Sequence, residues 1–510
     1  MIWIDTYYSY QTGNWNAFTT WTSDPSGTLQ TGTTVPGNGD RVIILSDRTV
    51  SLTSDVTASD LDLTIESGGV LDQAAFRFTN TLNKLGGQGT LRLASIYFPG
   101  ATTNTFISSG GGTTEYYNSS DFTIPSSPAT YYNLTINCTG HVATQLSNLT
   151  IYGNLYIKSG TFRINDNIST TKLSLTINGN VTVDNGASLT VGNGVTNPVI
   201  GSSGSGGTAP FLNYYLNFHT VIISGNLTNN GTVKFTNLLY PLYTSFPPTT
   251  AGATTGAASV YFQGASDNII NCNGITDFYN LIVNKGTDQT YKLIINSSQF
   301  TNFRLFGANS LAAETVTANP TLKKALWIYS GTLVLKGNLA IPSLSEGTAG
   351  NADYYIPANG ALVIDGVDVA VLATADDYRE LNTFYGISAP SNATTGITKG
   401  GKSAIDVFGK LEINNGFLST RESGGIITSS TASGQIIING GIVDSKQMLG
   451  STGSASYTQT GGLFILRGRL QRIPVSYTTI GDITDVSTST LGLSRINNGI
   501  NTAYGSFNLE

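Results

Sequence analysis

Charge is scarce in this sequence. Asp, Glu, Lys and Arg make up 11% of it, against roughly 25% in an ordinary soluble domain. Lys and Arg number 25 against 31 acidic residues, for a net charge of -6, so no basic stripe is available to grip nucleic acid or an anionic lipid surface. Cysteine and histidine are rarer still, at two each. Cys138 and Cys272 lie far apart, without metal or redox spacing, and read as buried free thiols. His141 and His219 have no partner at ligand spacing, so the sequence assembles neither a zinc site nor a Ser-His-Asp set around them. No apolar run reaches the ~18 residues that span a bilayer, so no transmembrane helix is expected. The opening Met1-Ile-Trp-Ile-Asp-Thr-Tyr-Tyr8 has neither the basic stretch nor the apolar core of a signal peptide.

Glycine, of which there are 59, fills that space together with Ser, Thr and Asn. Such residues favour turns and caps over helix interiors and argue against a helical protein. The 39% hydrophobic and 10% aromatic content is enough to bury a core, which excludes a disordered chain. Length alone, 510 residues, suggests about three or four domains, although solenoids run longer as one unit.

The informative feature is self-similarity. Leu149-Thr-Ile151-Tyr-Gly153-Asn154-Leu155-Tyr-Ile157-Lys-Ser-Gly160 alternates apolar with polar residues between Gly-Asn and Ser-Gly breaks, the period-2 pattern of strands with one buried face. A shift of 26 brings it back: Ile151 falls on Ile177, Gly153 on Gly179, Leu155 on Val181, Ile157 on Val183 and Gly160 on Gly186. A third copy, Ile223, Gly225, Asn226, Leu227, Gly231, Val233 and Phe235, is displaced by a further 46, with the low-complexity run Gly201–Gly207 between. The pattern returns at 328–339, 407–416, 436–440 and 461–468, and Tyr131–Asn137 echoes Phe278–Asn284. Strands of three to five residues recurring every 20–30 predict an all-β, right-handed parallel β-helix, each coil stacked on the next through backbone hydrogen bonds. Gly and Asn are expected at corners needing positive φ. With coils ~4.8 Å apart, about 17–20 of them would make a rod on the order of 80–95 Å long.

Residues 1–40 hold Trp3, Trp15 and Trp21 with Tyr7, Tyr8, Tyr10 and Phe18, and are expected to cap the first coil, since an open solenoid end exposes unpaired backbone. The solenoid is expected over 41–510, with insertions near 193–216, 240–258 and 340–356. It is expected to continue past residue 510 in a longer polypeptide, because Gly505-Ser-Phe507-Asn-Leu509-Glu510 stops inside another alternation.

Three segments could carry chemistry. Gly396-Ile-Thr-Lys-Gly-Gly-Lys-Ser403 satisfies the phosphate-loop pattern, but an alternating strand pattern follows where that loop requires a helix, so it reads as a chance match. Asp365, Asp368, Asp376, Asp377 and Glu380, with Arg379, form the densest carboxylate cluster. β-Helix enzymes that cleave polysaccharides need paired carboxylates or a carboxylate-bound calcium, yet nothing in the sequence fixes these groups in space, and they read as a solvated loop or structural cation site. Tyrosines at 116–117, 131–132 and 214–215 could stack on sugar rings or pack within the wall. The sequons at Asn118, Asn133, Asn137, Asn148, Asn167 and Asn226 are expected by chance in so Asn- and Thr-rich a chain.

Ala373-Thr-Ala-Asp-Asp-Tyr-Arg-Glu380, Gly396-Ile-Thr-Lys-Gly-Gly401, Ser419-Thr-Arg-Glu-Ser-Gly-Gly425, Tyr457–Arg469 and the opening Gly13-Asn-Trp15…Trp21…Val35-Pro-Gly-Asn-Gly-Asp40 together resemble the N-terminal regions of very large secreted surface proteins of Bacteroidota, of the SprB-like gliding-adhesin type. The resemblance implies the β-helical front end of a filamentous extracellular adhesin, exported by the type IX secretion system and attached at the cell surface. The family's C-terminal export signal is not present in this sequence. The expected function is that of a non-enzymatic structural and adhesive module contacting surfaces or glycans, with no membrane insertion and no nucleic-acid partner. No catalytic, cofactor-binding or metal-ligating residue is assigned, and no cofactor is expected. The rival readings are a polysaccharide lyase or hydrolase on the same fold and a phage-type receptor-binding spike.

Overall fold

The computed structural model describes residues 4–169, 171–193, 219–241, 256–307, 325–341, 344, 354–372, 382, 384–388, 405–420, 426–428, 434–449, 456–471, 476–479 and 482–485. They form a parallel β-helix whose strands are joined by turns and loops, with helix among the described residues limited to short turns such as Phe18–Thr20 and Phe300–Asn302. The chain divides into two compact units. The first is Met1–Gly194 with Val221–Asn226 and Asn230–Thr232; the second is Val195–Thr220, Leu227–Asn229 and Val233–Glu510.

In the first unit the sequence repeat is the physical register. Ile151 pairs with Ile177, Leu155 with Val181 and Ile157 with Val183, all in parallel, which are the pairs that the shift of 26 superposes. Because side chains alternate across a strand, the register stacks inward positions into columns. One runs Val50, Leu71, Leu91, Thr114, Leu134, Leu155, Val181; its neighbour runs Leu93, Tyr116, Ile136, Ile157, Val183. All the apolar members have no exposed surface. Each contributes about 1.5–3 kcal/mol of burial relative to exposure, and repetition sums that into the stability of the stack.

The N-terminal segment does more than cover the first coil. Strand β1 (Thr6–Ser9) pairs in parallel with β4 (Arg41–Ile44), Tyr7 opposite Val42, and β2 (Gly13–Asn14) pairs in parallel with β5 (Thr49–Ser51). The segment therefore supplies a partial coil of its own. β3 (Trp21–Thr22) then closes the outer edge of β1 in the antiparallel sense. Trp15 and Trp21 are buried edge to face with ring centroids 5.1 Å apart, Trp15 meets Phe78 at 5.4 Å, and the Trp21 indole N–H donates to the Trp15 carbonyl at 2.7 Å. Trp3 lies outside the described residues.

Asn165 has φ of 65°, as expected at corners, but not every Gly and Asn of the repeat is there for positive φ. Gly160 and Gly186 have φ of 75° and 81°, as expected of turns. Gly179 and Gly225 are not at positive φ; they are small because coils approach there, a Cβ at Gly179 falling 2.5 Å from the Gly153 carbonyl oxygen and one at Gly225 falling 2.3 Å from that of Gly179. The adjoining asparagines form a ladder. The Oδ1 atoms of Asn133, Asn154 and Asn180 accept the backbone N–H of Asn154, Asn180 and Asn226, one coil onward, at 2.8–2.9 Å. The side chain satisfies a corner donor that lies between strands.

In the second unit the inward columns run Leu293, Leu333, Leu362, Leu411, Ile436 and Ile295, Leu335, Ile364, Ile413, Ile438. Further columns join Val260, Leu281, Leu326 and Leu418, Val443, Phe464. The expected insertions at 193–216, 240–258 and 340–356 lie largely outside the described residues.

Candidate functional site

Parallel strands in register stack outward residues as strictly as inward ones, so each outer face carries columns of side chains about 4.8 Å apart. The richest column of the first unit starts on the strand Val70–Ala74 and passes through Thr90–Leu93 and Thr113–Tyr116, placing Asp72, Arg92 and Glu115 one above the other. The Arg92 guanidinium contacts the Asp72 carboxylate at 3.1 Å and that of Glu115 at 3.6 Å, and lies 4.4 Å from the centroid of the Tyr117 ring. The Tyr117 hydroxyl donates to Asp72 at 2.5 Å. Burial, followed by that bond to a carboxylate, pushes the Tyr117 phenol well above its usual range. The network continues upward: Asn137 donates to Glu115 at 2.7 Å, and Ser159 donates to Asn137 at 2.9 Å.

A second outer column sets Asp55 beside Arg77 at 3.6 Å, with Arg77 lying 5.0 Å from the ring centroid of Tyr97, which is 48% exposed. Acid, base and aromatic ring thus alternate along both columns without like charges adjoining. Such a surface sets guanidinium, carboxylate, hydroxyl and ring groups within a coil spacing of one another, the chemistry that meets a polar, extended chain.

The structure separates the tyrosines singled out in the sequence. Tyr116 and Tyr131 point inward, fully buried, with their hydroxyls 2.9 Å apart; burial raises both pKa values. Tyr117 and Tyr132 are half-buried, and Tyr152, one coil beyond Tyr132, is 40% exposed. Tyr214 and Tyr215 lie outside the described residues. Of the sequon residues, Asn133, Asn137, Asn148 and Asn167 hydrogen-bond to a neighbouring coil through their amides, and Asn118 is buried.

Those of the remaining candidates that the structure describes are built into the scaffold. Asp365 pairs with Lys336 of the preceding coil at 3.0 Å, and the Asp368 carbonyl accepts the Leu339 N–H at 3.3 Å. Asp376, Asp377, Arg379, Glu380 and the segment 396–403 lie outside the described residues. His141 Nδ1 is 3.5 Å from Asp121, and His219 is buried, its backbone N–H donating to the Ala257 carbonyl at 3.0 Å. Cys138 and Cys272 are buried free thiols; desolvation pushes Cys138 up and Cys272 to about 12. Among the described residues no group of three or more His, Cys, Asp or Glu side chains is placed to hold a metal ion, and no helix is long and apolar enough to cross a membrane.

Sequence reasoning did not find the second unit's buried ion pair. Asp277 and Arg304, opposite each other on adjacent coils, meet through two hydrogen bonds of 2.6 and 2.8 Å. Arg304 also donates to the Tyr385 carbonyl at 3.2 Å, while the Tyr385 hydroxyl accepts the Leu305 N–H at 3.1 Å. Phe384 stands edge-on to Phe300 at 5.4 Å, and Ile387 packs on Leu238, Ala257, Tyr279 and Phe306. The pair thus anchors a segment laid over the outside of the coil. Burial raises the Asp277 pKa against the opposing pull of Arg304 and Lys234.

Compared with known family models, curated proteins and solved structures, the chain matches none of them.

Proposed function

We propose that this chain is a non-enzymatic structural and adhesive module of a cell-surface protein, whose outer columns hold an extended polar ligand such as a surface polysaccharide. The observation that carries the reading is the coil-spaced alternation of Asp72, Arg92, Glu115 and Tyr117, beside Asp55, Arg77 and Tyr97. A polymer laid along these columns meets a different polar or aromatic group at each coil, so weak contacts accumulate by multivalency. Supporting it, Asp365, His141 and both cysteines are engaged in coil-to-coil contacts or buried in the wall.

The test is binding of the purified chain to immobilised polysaccharides, with product release followed in parallel. Tyr97→Ala and Arg92→Ala are each expected to weaken binding about tenfold, roughly 1.4 kcal/mol, with the polymer left intact. Depolymerisation of a glycan, lost in Asp376→Asn or Asp377→Asn, would overturn the reading in favour of a polysaccharide-degrading enzyme.

A further inference from the structure

Lys285 occupies a position where a solenoid normally keeps an aliphatic residue. Alternation along Asn280–Lys285 directs Leu281, Val283 and Lys285 inward, and none has exposed surface. Register sets Lys285 opposite Gly264 of the preceding coil. A Cβ on Gly331, in the following coil, would fall 2.5 Å from the Lys285 Cβ. The lysine stem passes between two glycines, both in the left-handed region at φ 100° and 91°, so the neighbouring coils leave space for this side chain on both sides.

The amine is aimed back at the preceding coil. Nζ donates to the Gln263 carbonyl at 2.9 Å and to the side-chain carbonyl oxygen of Asn268. Asn268 opens the strand Asn268–Cys272 and is itself buried. Desolvation lowers the Lys285 pKa to about 8, against the opposing charge of Asp267. A share of the amine is therefore neutral, and nucleophilic, near neutral pH.

We propose that Lys285 and Asn268 become joined by an intramolecular isopeptide bond, a covalent tie between adjacent coils. The lone pair of the neutral Nζ adds to Cγ of Asn268 and the new C–N bond forms. Nζ gives up a proton as the departing amide nitrogen gains one, the Cγ–Nδ2 bond breaks, and ammonia leaves. Nothing is oxidised or reduced, and no co-reactant is consumed. The site holds the two groups together in a water-poor interior, where proximity replaces a bimolecular encounter and the product amide is shielded from hydrolysis.

Intact-mass measurement of the denatured full chain tests this directly. The expected mass is lower than the sequence mass by one ammonia, about 17 Da. Cleavage before aspartates should release 267–276 and 277–287 as a single branched species instead of two peptides. Lys285→Arg and Asn268→Ala should each restore the full mass. An unmodified mass with two separate peptides from the wild-type chain overturns the proposal, whatever the variants do, and leaves Lys285 as a buried hydrogen-bonded amine. The outcome is independent of whether the chain binds a polysaccharide.

Discussion

The two units solve one stacking problem with different coil lengths. In the first, the same face is regained after 20 residues (Val70 to Thr90), 23 (Thr90 to Thr113), 21 (Leu134 to Leu155) and 26 (Leu155 to Val181). In the second it takes 40 (Lys292 to Thr332), 29 (Thr332 to Ala361) and 49 (Ala361 to Lys410), then 25 (Lys410 to Gln435) and 21 (Gln435 to Ser456). The inward column does not notice the three longest steps: Leu293, Leu333, Leu362 and Leu411 are all leucine. Register is set by which residue fills the core slot, while the chain between slots is free to grow, since lengthening a loop costs little entropy. Outer faces carry charge in both: Asp72, Arg92 and Glu115 stack in the first unit, and Lys336 pairs with Asp365 of the next coil in the second.

Ion pairs should separate the units most strongly. Asp277→Asn removes the buried partner of a largely buried guanidinium and is expected to cost about 3 kcal/mol, whereas Arg92→Ala, in the half-exposed column, should cost ~1 kcal/mol or less. Urea unfolding of the two variants checks this, and similar costs would erase the distinction. Core slots should show the opposite, namely parity: Leu155→Ala and Leu333→Ala are each expected to lose about 2–5 kcal/mol, despite coil steps of 26 and 40 residues beside them. A much cheaper Leu333→Ala would mean that long coils loosen the core. A smaller effect should appear in alkali. Folding raises the pKa of Tyr116 and Tyr131 above the unfolded value of about 10, so the folded state holds protons that the unfolded chain has released. Their contribution is complete below about pH 10 and declines as pH rises further. The Tyr116→Phe/Tyr131→Phe double variant should flatten that limb of a melting-temperature profile, and an unchanged slope would assign the loss to other groups.

The strands were legible because burial on one face leaves alternation in the sequence. The coil step was legible where one shift superposes several strands at once, as 26 does for Ile151, Leu155 and Ile157. The outer columns were not. Asp72, Arg92 and Glu115 are separated by 20 and then 23 residues, and only the folded register reveals them as neighbours. The Asp277–Arg304 pair was hidden for the same reason, being 27 residues apart. Tyr116 and Tyr117 are adjacent letters sent to opposite faces, a fate that depends on which phase of the alternation is inward. Lys285 breaks the apolar rule at an inward slot, and its oddity shows only against Gly264 and Gly331.

The antiparallel strand Trp21–Thr22 has a consequence for how copies of this protein meet. A stack of parallel rungs is a template, and an unguarded terminal rung would recruit the edge of any other copy and grow fibres head to tail. Reversing the direction of a two-residue strand at that edge, with Trp21 packed on Trp15, covers β1 with a strand too short to template another copy well.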